Sequence, residues 1–148
     1  MKRLLWGLCL ILLLTSHVWL KETAVKTTKA EILAKTSSSW DGSALPEYPI
    51  GTPEITIVRL TIPPKTMLPL HKHPVMLGAV ILKGELTVIT EEKKSKTFKP
   101  GDSIVEVVNK WHFGKNDGNV PVLAIVFYAG IKGQPITIKK ETKEISKK

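Results

Sequence analysis

The stretch Leu70-His71-Lys72-His73-Pro74-Val75-Met76-Leu77-Gly78-Ala79-Val80-Ile81-Leu82-Lys83-Gly84 decides how this chain is read. It joins a His-x-His pair to an apolar run and ends on a turn. In a strand, alternate side chains point to one face, so His71 and His73 lie together. His112 follows in Trp111-His112-Phe113, and the fourth histidine, His17, lies in an apolar leader. A third imidazole from a neighbouring strand completes a three-nitrogen pocket. Such a pocket suits a divalent transition metal (Fe, Zn, Mn, Ni or Cu) and leaves coordination positions open. His71, His73 and His112 are therefore the candidate metal ligands. The plainer alternative for each is a partly exposed, hydrogen-bonded histidine with no ligand.

Working outward, Val75 to Leu82 is nearly all apolar and reads as a strand buried on both faces. Lys83-Gly84 turns the chain, and Glu85 to Thr90 returns as a hairpin partner. Glu91 to Lys96 reads as a charged turn, and Pro100-Gly101-Asp102 as a tight turn with Gly at a position that accepts positive φ. Ile55 to Ile62, Ser103 to Val108, Val120 to Ala129 and Pro135 to Lys139 complete the strands. No long amphipathic helix interrupts them. The expectation is all-β, a sandwich or a single small antiparallel barrel.

The 148 residues allow one domain with appendages. Residues 1–20 read as a signal peptide or a membrane anchor. Met1-Lys2-Arg3 is a basic start, and Leu4 to Leu14 is unbroken and apolar. If His17 is tolerated, residues 4–20 reach the lower limit of a membrane span. Either way the barrel is expected outside the cytoplasm, periplasmic or anchored. Cys9, the single cysteine, lies in this run, so no disulfide is expected. Residues 21–53 read as a polar spacer and an extended loop. Ala30 to Lys35 is a candidate helical turn. Trp40, Leu45, Tyr48 and Ile50 are expected to pack on the domain, with an aromatic lip over the pocket as the alternative. Residues 54–139 form the barrel, and 140–148 a charged, frayed tail.

The net charge is +9, but the lysines are scattered and arginine occurs only at Arg3 and Arg59. With no RNP, helix-turn-helix or zinc-finger pattern, nucleic acid is not the expected partner. A small-molecule ligand is, and edge strands suggest a homodimer.

At this point the spacing resembles the cupin superfamily. His71 and His73 followed by Gly84 resemble its first motif, and Gly101, Asp102, His112 and Asn116 its second. The resemblance covers about residues 55 to 130 and implies a double-stranded β-helix, or jelly-roll, barrel. Lys65 stands where the first motif has glycine, and Val107 and Asn109 where the second has Pro-x-Gly. Leu77 stands where the family's glutamate ligand belongs. The resemblance thus implies either a three-histidine site, like that of the thiol dioxygenase branch, or a barrel whose metal is weak or lost.

Glu106 is a candidate replacement ligand. By strand alternation it reads instead as a surface residue opposite Val105 and Val107. Met67, Met76, Leu77 and Phe113 are expected as apolar pocket walls. Tyr128 reads as packing, with a pocket-facing position as the alternative, and Trp111 as support for the strand of His112 or a gate. The function expected is a metal-dependent enzyme, oxygenase-like or isomerase-like, on a small organic substrate. The alternatives are a binding or sensing module and a structural barrel.

Overall fold

The computed structural model describes residues 27–141. The leader (1–20), Cys9 and the tail from residue 142 fall outside them. Thr27 to Ala30 is exposed and carries no element, and the compact unit begins at Glu31. Among the described residues no helix is long and apolar enough to cross a membrane.

Ten strands follow in order: β1 (Pro53–Ile62), β2 (Thr66–Met67), β3 (His71–Lys72), β4 (Met76–Lys83), β5 (Leu86–Thr90), β6 (Ser95–Phe98), β7 (Ser103–Val105), β8 (His112–Asn116), β9 (Val122–Ile131) and β10 (Ile138–Lys139). They form two antiparallel sheets. One runs β1-β9-β4-β7, the other β10-β3-β8-β5-β6, with β2 on β8. The expectation of an antiparallel double-stranded β-helix holds. The closed barrel does not: the two ladders stay separate and pack face to face, since no strand hydrogen-bonds across both.

The core lies between the sheets and follows the period of two. In β4, Leu77, Ala79 and Ile81 point inward. Ile62, Val122, Ala124 and Val126 meet them from β1 and β9, and Val88, Phe98 and Ile104 from β5, β6 and β7. The expected burial of both faces of β4 is only half right. Met76, Gly78 and Val80 are half-buried on its outer face, and Leu82 is exposed. Ser95 and Lys96, expected within a charged turn, instead open the strand Ser95–Phe98. Its side chains are exposed except Phe98, so the sequence there carried no apolar alternation.

Gly84 holds the β4–β5 turn at φ 72°, and a Cβ there would lie 2.7 Å from the Pro121 carbonyl oxygen. The backbone demands glycine twice over. At two other turns the chain takes the left-handed conformation without glycine. Lys65 (φ 55°) and Asn109 (φ 56°), both at positions where the cupin motifs carry glycine, adopt it with side chains in place.

The segment before β1 is not a free spacer. Ser39 is buried, the Trp40 amide donates to the Val105 carbonyl, and the Trp40 ring meets Phe98 edge-on at 6.3 Å. Asp41 pairs with Lys110 at 2.8 Å. No helical turn forms over residues 30–35, and Tyr48 and Ile50 are exposed rather than packed. At the other end Lys140 is not frayed: its amide donates to Leu70, and its ammonium pairs with Glu91.

Candidate metal centre

The register of the second sheet sets His71 of β3 directly opposite His112 of β8. His73, two residues along, shares the face of His71 and is held by a bridge to Val108. One nitrogen from each ring lies within 4.8 Å of the others. His73 and His112 are buried and His71 is half-buried.

Backbone carbonyls fix which nitrogens meet. His71 Nδ1 lies 2.7 Å from the Pro69 oxygen, His73 Nδ1 2.7 Å from Ile136, and His112 Nδ1 2.9 Å from Lys110. A carbonyl only accepts, so each Nδ1 carries the proton and each Nε2 presents a lone pair. Carbonyl support of the distal nitrogen is how metal-ligating imidazoles are oriented. Burial holds all three rings below the ordinary histidine pKa, His73 down to about 4. At neutral pH they are uncharged donors, so the donor set fits a borderline divalent metal.

The opposing sheet supplies the rest. On its inward face Leu77 pairs across the strands with Tyr128, and its carbonyl accepts from the Glu106 amide at 3.2 Å. A row Tyr128–Leu77–Glu106 therefore faces the histidines. The Tyr128 ring lies 5.6 Å from that of His73, and burial raises its pKa. Tyr128 is a cavity residue and not packing alone.

Glu106 corrects the surface reading. It is 7% exposed, and its Oε2 lies 4.0 Å from His112 Nε2. Oε1 accepts from Trp40 Nε1 at 2.6 Å and from the Val107 amide at 2.9 Å. Burial pushes its pKa up in spite of those bonds. Alternation did place Glu106 opposite Val105. The error was to take Val105's face as inward, when Ile104 and Glu106 are the inward pair.

These groups line a cavity of about 230 Å³. Its other walls are mostly apolar, including Leu60, Leu68, Ile81, Val88, Ile104 and Val126, with Thr137 polar and Lys139 the one cationic side chain among the described residues. Of the expected walls only Leu77 lines it. Met67 is exposed, Met76 faces the outer surface, and Phe113 lies elsewhere on β8. Trp111 is not a gate. It lies under Lys72 and Lys140, whose ammonium groups sit 5.1 and 5.4 Å from the ring. Trp40 is not a lip either, because it serves Glu106 and Phe98. Asn116 is structural: its Nδ2 donates to the carbonyls of Ile62, Pro63 and Val120.

Residues 58–128 match the Cupin domain family. Among solved structures, a DMSP lyase from Ruegeria pomeroyi is similar at 21% identity and a TM-score of 0.51, covering 58% of this chain and 43% of that one. A cupin-like protein from Thermotoga maritima gives 14% and 0.50 over 60% and 65%. The polyketide cyclase RemF from Streptomyces resistomycificus gives 13% and 0.51 over 61% and 63%. The chain thus spans less than two thirds of each of these proteins, and at such identities the likeness is one of fold. No curated protein matches the chain. The family match and the shared fold support the cupin superfamily.

Proposed function

Taking the chain as a cupin, we propose that it binds a divalent transition metal through His71, His73 and His112 and acts as a metal-dependent enzyme on a small organic molecule. One observation carries the reading: each Nδ1 is engaged by a backbone carbonyl, which frees each Nε2, and one nitrogen of each ring lies within 4.8 Å of the others. Lone pairs so placed repel one another unless a cation gathers them.

A bound metal with open positions would supply Lewis acidity or, as iron, oxygen chemistry. The chain's own residues do the rest. The apolar walls exclude water and take an apolar body. Lys139 favours an anionic group, such as a carboxylate or thiolate. Tyr128, kept protonated by burial, holds a proton at its hydroxyl beside His73. The sparse polar lining also favours a second reading, in which the same cavity holds a ligand without turning it over.

The test is elemental analysis of protein purified without added metal. About one equivalent of metal is expected, and less than about a tenth in His71→Ala or His112→Ala folded to the same extent. Metal-free protein that is stabilised by small carboxylates would point to the second reading.

We further propose that residues 1–20 take the protein out of the cytoplasm, by cleavage or as an anchor, and N-terminal sequencing of exported material distinguishes these. A homodimer is supported by the outer face of the four-stranded sheet. There Ile57 and Phe127, paired across β1 and β9, are 65% and 44% exposed. A monomer mass by light scattering would remove that proposal.

A further inference from the structure

We infer that Glu106 is a fourth metal ligand, placed one strand away from Leu77. This rests on the three-histidine metal reading above. The backbone carries the first part of the case. Leu77 on β4 is inward-facing and apolar, and Glu106, whose amide donates to the Leu77 carbonyl at 3.2 Å, occupies the adjacent inward position beyond β7. A carboxylate is thus offered to the same space from the neighbouring strand.

The second part concerns what Glu106 is doing there. Among the described residues, no lysine or arginine comes within 4.0 Å of its carboxylate. A buried carboxylate without a counter-charge is costly. Its two hydrogen bonds, from Trp40 Nε1 and the Val107 amide, both fall on Oε1, and the neutral oxygen of a glutamine would accept them equally well. Neither bond therefore calls for an acid.

Oε2 supplies the missing reason. It faces His112 Nε2 at 4.0 Å, and that nitrogen is an acceptor because Nδ1 is committed to Lys110. When Glu106 is ionised the two acceptors repel, and a cation between them reverses the sign. Donors bound at about 2.0–2.2 Å to one ion stand no more than about 4.4 Å apart, and this pair meets that limit. The set of donors lying within 4.8 Å of one another holds the three histidines alone, so Glu106 completes the site by turning its carboxylate further towards His71 and His73. Three neutral imidazoles leave a divalent ion with its full double charge in a buried site, whereas one carboxylate halves it.

Cobalt(II), titrated into the metal-free full-length chain, tests this by affinity and by the visible absorption of the bound ion. The wild type should bind one equivalent, and His112→Ala none. Glu106→Gln should bind about 10–100-fold more weakly, with a changed absorption band, as expected on losing a charged donor. Leu77→Glu added to Glu106→Gln should recover most of that loss by returning a carboxylate from β4. If Glu106→Gln keeps both wild-type affinity and spectrum while His112→Ala still abolishes binding, the inference fails and the three-histidine reading stands. If the wild type binds no cobalt, both fail. Should Glu106→Gln not fold, Glu106→Asp draws the carboxylate back by one methylene, and an unchanged affinity there overturns the inference equally.

Discussion

The three imidazoles and the Glu106 carboxylate face one small space, yet they are aimed by different means. His71 and His112 are each held by a carbonyl two residues earlier in the chain, Pro69 and Lys110. His73 reaches further, to Ile136, from within the same motif. Glu106 is held by Trp40, 66 residues away, in a segment that precedes every strand. A side chain oriented by its own turn needs only the turn to form. A side chain oriented across the fold needs the strap from Ser37 to Leu45 to be docked first. The histidine side of the site is therefore expected to tolerate damage to the strap, and the carboxylate side is not.

Phe98→Ala strikes that strap hardest. The ring is 1% exposed and is the edge-on partner of Trp40. Truncating a buried phenylalanine costs about 3–5 kcal/mol through lost transfer energy and the cavity left behind. Urea unfolding should show a loss of that size. A loss under about 1 kcal/mol would mean that the strap does not lean on the core, and the contrast drawn here would fall.

Acid separates the two sides by sign. In the metal-free protein His73 has its pKa lowered from 6.5 to about 4, by burial first. The unfolded chain therefore takes up its proton before the folded one does, so stability present above pH 6.5 is lost as pH falls towards 4. Glu106 is shifted the other way, upward by burial. The folded state keeps its proton longer, so its contribution is present at low pH and is lost as pH rises through the folded value. The histidine effect is on the order of 1–3 kcal/mol for shifts of this kind. Urea midpoints of the metal-free protein at pH 7.5, 5.5 and 4.5 should fall steadily. Glu106→Gln should gain relative to wild type at the high end. Parallel curves for the two proteins would remove the opposition.

Trp40→Phe is milder and more selective. The ring still meets Phe98, but the Nε1 donor to Oε1 is gone. Losing one hydrogen bond to a buried acid costs about 1–2 kcal/mol. Cobalt affinity should fall with it, because Oε2 is no longer aimed. Thr137→Val, which removes a 3.2 Å contact to His73 Nδ1 but leaves Ile136 in place, should change affinity less. Equal losses in the two variants would show that the strap gives the carboxylate no special hold.

The same division explains what could be read from the sequence. His71, His73 and His112 announce themselves through residue type and period, and β3 and β8 deliver them as that pattern implies. The strands with apolar alternation were legible as well. Glu106 was legible as a candidate ligand but was read as a surface residue, because alternation says which residues share a face and not which face is inward. That was decided by the pairing of β7 with β4, a contact between distant segments. Trp40 was expected to pack on the domain and does, against Phe98, but its bond to Glu106 and the burial of Ser39 were hidden for a like reason: a polar, proline-flanked stretch gives no local sign of what it docks on. The two separate sheets, against the expected closed barrel, also depend on long-range pairing that no single strand encodes.

The smallest effect tests whether the loop between Glu106 and His112 is under strain. Asn109 lies between Glu106 and His112 at φ 56°, and its amide donates to the His73 carbonyl at 2.8 Å. A left-handed conformation is costly for most side chains, least so for asparagine, and free for glycine. Asn109→Gly removes that strain but also loosens the unfolded chain, and the two nearly cancel. Stability should change by no more than about 0.5 kcal/mol, and cobalt affinity should not move. Asn109→Val, with a β-branched side chain that resists this φ, should instead cost about 1–3 kcal/mol. If valine were accepted without loss, the turn would have reshaped. The His73 carbonyl would then have lost the amide that ties the first histidine pair to the loop carrying Glu106, and the two sides of the site would be mechanically independent.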